Sequence, residues 1–196
     1  MSNMGKKSRR QKNKEVKSSS NRNTLVVGVI LIAVVGYWGI NQLGGSGYPK
    51  LVSGVIYDAA TVSADGKVSV PQDVLDNGKL VFVDVKLENA TDEFNYLGRR
   101  IILSGYKAGE YLPLILISTP KGNTIGGVRV CEPCSSFSFH IIDGKYLQCD
   151  ACGTRWDIET LQGISGGCIS YPPPKLTTGL LNGVTMETSP TGLSLA

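Results

Sequence analysis

The sequence predicts an all-β domain, a small sandwich or barrel carrying two C-x-x-C knuckles, preceded by one N-terminal transmembrane helix. Three observations lead there: an uncharged apolar run of twenty residues near the N-terminus, apolar residues recurring at period two between Gly-rich turns, and five cysteines gathered between Cys131 and Cys168. At 196 residues the chain fits one domain of ordinary size plus appendages.

The net charge of +4 is unevenly spread. Residues 1–23 hold eight Lys or Arg and one acid, Glu15, whereas the remainder holds twelve bases and fifteen acids. The body of the protein therefore offers no basic footprint for nucleic acid. Directly after the basic tail comes "TLVVGVILIAVVGYWGINQL", residues 24–43, without one charge. At 1.5 Å per residue a helix of that length crosses a bilayer core. It exceeds a usual signal-peptide apolar region and lacks a good small-residue cleavage site, so an uncleaved anchor is expected. Tyr37 and Trp38 fall at its end, where amphipathic rings prefer the headgroup level. The Lys/Arg cluster before it places residues 1–23 in the cytoplasm and the rest on the outer face, periplasmic or extracellular. Lipid is thus the expected partner of residues 24–43.

"GGSGYPK" makes residues 44–52 a flexible linker, with Pro49 preventing continuation of the helix. From Ser53 onward the pattern is that of strands. "KLVFVDVKLE" puts Val81, Val83, Val85 and Leu87 on one face, "VRVC" runs into the first cysteine, and "YLPLILIST" is a nearly continuous apolar run whose Pro113 marks an edge or a strand start. Turn chemistry recurs at "ADGK", "DNGK", "KGN" and "DGK". Regular short strands with such turns point to a sandwich or small barrel. The only helical signal beyond the anchor is one turn near "PQDVL". The all-β domain is expected over 53–176, and residues 177–196, rich in Thr, Gly and Ser, as a loosely ordered tail with room for an edge strand around 180–186.

Cys131-Glu132-Pro133-Cys134 and Cys149-Asp150-Ala151-Cys152 are two C-x-x-C knuckles fourteen residues apart. Each can supply two thiolates from a tight turn, as in four-cysteine metal sites. Between them "HIIDGKYLQC" carries a hairpin signal. A two-residue Asp143-Gly144 loop would pair Ile142 with Lys145, place Cys134 opposite Gly153, and bring the knuckles together at the open end. Four thiolates suit Zn²⁺, a single iron, or a [2Fe–2S] or [4Fe–4S] cluster. Two disulfides are the competing reading, since an outward-facing domain can meet an oxidising compartment, although five cysteines leave one unpaired. The fifth, Cys168 in "SGGC", is either an additional ligand or a buried small hydrophobe. Its two glycines point to close backbone approach.

His140, the only histidine, sits mid-strand between the knuckles and reads as a hydrogen-bonded strand residue. With one histidine and no G-x-S-x-G, a Ser-His-Asp triad is not supported, and no catalytic residue is assigned. Arg155, Asp157 and Glu159 alternate with Trp156 and Ile158, as in a solvated strand face over a buried one.

"LQCDACGTRWDIETLQGISGGCISYPPPKL" resembles the second half of a Rieske iron–sulfur domain, with Cys149 and Cys152-Gly153 in the second knuckle, Trp156-Asp157 after it and Pro172 to Pro174 closing it. Cysteine stands where Rieske centres have histidine. Together with "SADGKVSVP", "CEPC", "CDACGTRW" and "GGC", the chain over roughly 53–174 resembles the membrane iron–sulfur proteins of the FtrD-like type. Ile169 departs from that pattern, which has a polar residue after "GGC". The resemblance implies an iron–sulfur cofactor held by Cys131, Cys134, Cys149, Cys152 and Cys168. The resemblance implies a cofactor class more than a reaction, and the expected role is an electron carrier, rather than an enzyme with its own substrate, for a membrane redox or metal-transport partner. The alternative is a binding module in which Zn²⁺, held by Cys131, Cys134, Cys149 and Cys152, only staples the fold.

Overall fold

The computed structural model describes residues 49–180 and 183–196. The predicted basic tail, the predicted transmembrane helix over 24–43 and the first residues of the linker lie outside the described residues. Among the described residues no helix is long and apolar enough to cross a membrane. In chain order the elements are β1 (Leu51–Ser53), β2 (Val55–Ile56), β3 (Thr61–Val62), β4 (Lys67–Val70), α1 (Gln72–Gly78), β5 (Leu80–Lys86), β6 (Glu93–Tyr96), β7 (Arg99–Ile102), β8 (Tyr111–Ser118), β9 (Thr124–Val128), β10 (Phe139–Ile142), β11 (Tyr146–Cys149), β12 (Arg155–Asp157), β13 (Gly163–Ser165), β14 (Lys175–Leu180) and β15 (Val184–Glu187). The mostly β expectation holds.

A five-stranded sheet runs in the order β1-β10-β11-β12-β13, and an eight-stranded sheet in the order β2-β5-β8-β9-β14-β15-β4-β3. The architecture is a curled-sheet half-barrel. β6 and β7 form a separate hairpin.

β5 and β8 explain why their sequences are so continuously apolar. Val81, Val83 and Val85 of β5, with Leu112, Leu114 and Leu116 of β8, face one core, together with Leu75, Ile101 and Met186. The alternate residues Leu80, Phe82, Ile115 and Ile117 face a second core shared with Phe139, Ile141, Leu147 and Trp156 of the smaller sheet. Two buried faces leave no polar alternation to see. Pro113 lies near the start of β8, opposite Asp84, but β8 is an interior strand and not an edge. Asp84 is the charged exception in the β5 run. Its side chain is buried, and it pairs with buried Arg129 at 2.5 Å and accepts the Tyr106 hydroxyl. The Arg129 guanidinium lies over the Phe82 ring, 4.4 Å from its centroid.

The turn expected near "PQDVL" is the seven-residue α1, which closes where Lys79 adopts φ 60° and its N–H returns to the Leu75 carbonyl. The loosely ordered tail expected over 177–196 is not what the chain forms. β14 pairs with β9 and with β15, and β15 pairs with β4, so these strands join the two halves of the large sheet. Val184 and Met186 are fully buried. β15 is interior, and the domain runs past the expected end at residue 176.

The Asp143-Gly144 hairpin forms, but its register is shifted by one. Ile142 pairs with Tyr146, and not with Lys145. Lys145 N–H closes the turn onto the Ile142 carbonyl, while the Lys145 carbonyl is taken by Ile158 N–H. Phe139 therefore faces Cys149, and the first knuckle leaves the ladder altogether. β9 likewise stops at Val128, short of Cys131.

Candidate metal centre

Both knuckles use one backbone frame. Cys131 N–H donates to the Ser136 carbonyl at 2.8 Å, and Cys149 N–H donates to the Thr154 carbonyl at 3.0 Å. The residue after each second cysteine takes a left-handed conformation, Ser135 at φ 50° and Gly153 at φ 67°. That twist turns each chain back after its second cysteine.

The knuckles meet. Cys134 Sγ lies 3.6 Å from Cys149 Sγ, and Cys131 Sγ lies 4.0 Å from Cys152 Sγ. Cys168 joins them: the sulfurs of Cys131, Cys134, Cys152 and Cys168 all lie within 4.8 Å of one another. That compact group therefore holds Cys168 where Cys149 was expected; Cys149 touches it through Cys134, and all five are free thiols. Cys131, Cys149 and Cys168 are buried, Cys134 is half-buried, and Cys152 reaches the surface.

Crowded thiols cannot all ionise together. A hydrogen bond to the Cys149 sulfur, reinforced by burial, pushes the Cys131 thiol up, and burial pushes Cys134 up to about 12. Cys149 is lowered to about 4, chiefly by the hydrogen bond from Cys131 and also by Ser136 and backbone N–H groups of its own knuckle. Burial opposes ionisation of Cys152, yet the Thr154 hydroxyl and backbone donors outweigh it and lower that thiol. The hydrogen-bond donors that favour a thiolate are thus gathered at the second knuckle.

Cys168 reaches the centre through Thr154, which is fully buried. The Thr154 oxygen accepts Cys168 N–H at 3.1 Å and stands 3.2 Å from Cys152 Sγ. Gly166, at φ 106°, is required for this approach, because a Cβ there would meet Thr154 Oγ1 at 2.5 Å. Gly167 has open space at that point. The proline run leaves from the centre, with Tyr171 N–H on the Cys168 carbonyl, and is pinned to the large sheet where Val128 N–H donates to the Pro174 carbonyl.

The acid in each knuckle is tied to a base. Glu132 pairs with Arg99 of β7, both largely buried, and Arg99 also lies over the Tyr171 ring. Asp150 pairs with His140 Nδ1 at 2.5 Å and accepts the Ser138 hydroxyl. His140 is thus the hydrogen-bonded strand residue expected. Trp156 is fully buried in the same core as Cys131, Cys149 and Cys168, and its Nε1–H donates to the Ile169 carbonyl. Arg155 donates to the Gln148 side chain.

The donor set is all sulfur, which suits zinc, iron and iron–sulfur chemistry. The five thiols present fit a metal group of that kind.

The family described as membrane iron-sulfur containing protein FtrD-like matches residues 100–188. The matched segment runs from β7 through β15 and includes all five cysteines. No curated protein matches the chain.

Sequence reading passed over Thr154, Ser136 and Arg99. A signal for the first two was present: a hydroxyl residue stands two places after the second cysteine in both "CEPCSS" and "CDACGT". Nothing local marks Arg99, which lies more than thirty residues from Glu132.

Proposed function

We propose that the protein is a membrane-anchored iron–sulfur electron carrier serving a redox or metal-transport partner at the outer face of the membrane. The observation that supports it is the convergence of five cysteine sulfurs, three of them buried and one, Cys152, at the surface. Iron held by these thiolates would supply a one-electron couple. The chain's own residues prepare for it: Trp156 and Phe139 exclude water behind the sulfurs, and Thr154 and the knuckle amides present hydrogen-bond donors to them. Cys152, exposed at the rim, is the exit toward a partner. Residues 24–43 supply the anchor, with the N-terminus cytoplasmic and the domain periplasmic or extracellular.

The test is a redox titration of the full chain, purified anaerobically in detergent. A reversible one-electron change in visible absorption is expected. A colourless protein whose metal is redox-inert zinc ends the electron-carrier reading. It would favour the second reading, a structural zinc module, which the close spacing of the sulfurs also supports.

A further inference from the structure

We infer that the sulfur cage is sized for a single metal ion and not for a sulfide-bridged cluster of two or four irons. The inference rests on the iron–sulfur reading for the identity of the ion, which would then be one iron held by cysteine sulfur alone.

Four sulfurs bound tetrahedrally at about 2.3 Å from one ion stand about 3.8 Å apart, from the geometry of thiolate sites. The contacts here straddle that value: 3.6 Å between Cys134 and Cys149, and 4.0 Å between Cys131 and Cys152. Both join one knuckle to the other. A two-iron cluster could hold each of those pairs on one iron, so the distances that decide are those between the two pairs. Ligands on different irons lie on opposite sides of the iron–sulfide core, so a cluster seated on those pairs would part Cys131 from Cys134 by the width of that core, whereas the two sulfurs lie within 4.8 Å of each other. The wider group also stays compact, with Cys131, Cys134, Cys152 and Cys168 within 4.8 Å of one another.

The frame around the sulfurs resists such opening. Each knuckle is closed by its own backbone hydrogen bonds, Cys131 N–H to the Ser136 carbonyl and Cys149 N–H to the Thr154 carbonyl. Thr154 ties the second knuckle to Cys168. Cys131 and Cys149 are fully buried against Phe139 and Trp156, so separating the knuckles would unpack the smaller core. One ion needs four of the five sulfurs, and the fifth remains as a neighbour in contact with them.

The experiment is metal and acid-labile sulfide analysis of the full chain, as isolated anaerobically and again after reconstitution with excess ferrous iron and sulfide. The expected result is one iron per chain, no bound sulfide before or after reconstitution, and, once ferricyanide has taken one electron from the ferrous ion, the EPR spectrum of an isolated high-spin ferric ion. Two or more irons with matching sulfide would overturn the single-ion inference and leave the electron-carrier reading standing. One zinc without sulfide, unchanged by reconstitution, would uphold the single-ion cage and remove the electron carrier. Absence of any bound metal in both preparations would remove both.

Discussion

The hydroxyl of Thr154 stands 3.2 Å from the sulfur of Cys152, and the same oxygen accepts the amide N–H of Cys168 at 3.1 Å. One buried side chain thereby serves two of the five cysteines. Thr154→Val keeps the shape and removes the hydroxyl, leaving the Cys168 amide without its acceptor. The expected loss of stability is about 1–3 kcal/mol, the usual consequence of an unmatched buried donor. In the metal-loaded protein the midpoint potential should also fall, since one hydrogen bond to sulfur is gone. Thr154→Ser should restore the potential. Denaturant unfolding and potentiometry check the pair of effects, and an unchanged potential in the valine variant would show that Thr154 only packs.

Arg99 and Arg100 are neighbours with opposite prospects. Arg99 pairs with Glu132 inside the first knuckle, both largely buried, whereas Arg100 pairs with Glu93 on the surface. Arg99→Ala leaves a carboxylate uncompensated between two cysteines. It should weaken metal binding by roughly tenfold or more, as loss of outer partners does at metal sites. Arg100→Ala should leave it unchanged, because exposed pairs contribute little. Competition with a chelator of known affinity measures both variants.

Asp84 gives the protein an acid-sensitive point far from the cysteines in sequence. Burial alone would raise its carboxyl, but hydrogen bonds from Lys107 and Tyr106 and the charge of Arg129 hold it below the ordinary value of 3.8. A carboxyl lowered in the folded state stabilises fully above its unfolded pKa, and that contribution is lost as pH falls through the folded one. Asp84→Asn should therefore unfold with a weaker pH dependence below about pH 4 than the parent protein. Asp84→Ala, which strands buried Arg129, should cost about 3–5 kcal/mol near neutrality. Thermal or urea unfolding across pH 2 to 7 reads both, and identical acid limbs in parent and D84N would contradict the assignment.

Two adjacent glycines offer a paired control. Gly166→Ala drives a methyl into Thr154 from a left-handed conformation, whereas Gly167→Ala meets open space. The first should cost about 1–3 kcal/mol from overpacking and lower the metal content. The second should leave metal content at the parent level. Equal metal content in the two variants would mean that the approach of Cys168 is not set by Gly166.

The parts of the fold that were readable share a cause. Val81, Val83 and Val85 do lie on one face, and the Asp143-Gly144 turn does bring the knuckles together, because side-chain period and turn chemistry are local properties. What was not readable depends on partners distant in sequence. β15 contributes only Val184 and Met186 to a core, too few apolar residues to stand out among Thr and Gly, and its place between β14 and β4 is decided by pairing across the chain. The register of β10 and β11 turned on Ile158, which captures the Lys145 carbonyl from outside the hairpin. The five cysteines were visible as a group, yet the position of Cys168 among them required Thr154 and Gly166, residues with no signature of their own.

β15 has a consequence for the order in which the protein can be completed. The strands β3 and β4 reach the rest of the large sheet only through β15, which follows them far downstream in the chain. Until residue 187 has emerged, the sheet exists as two separate edges. All five cysteines precede β15, and the five-stranded sheet beside them takes no strand beyond β13. A chain cut before β15 would keep every thiol and lose the strand that closes the sheet.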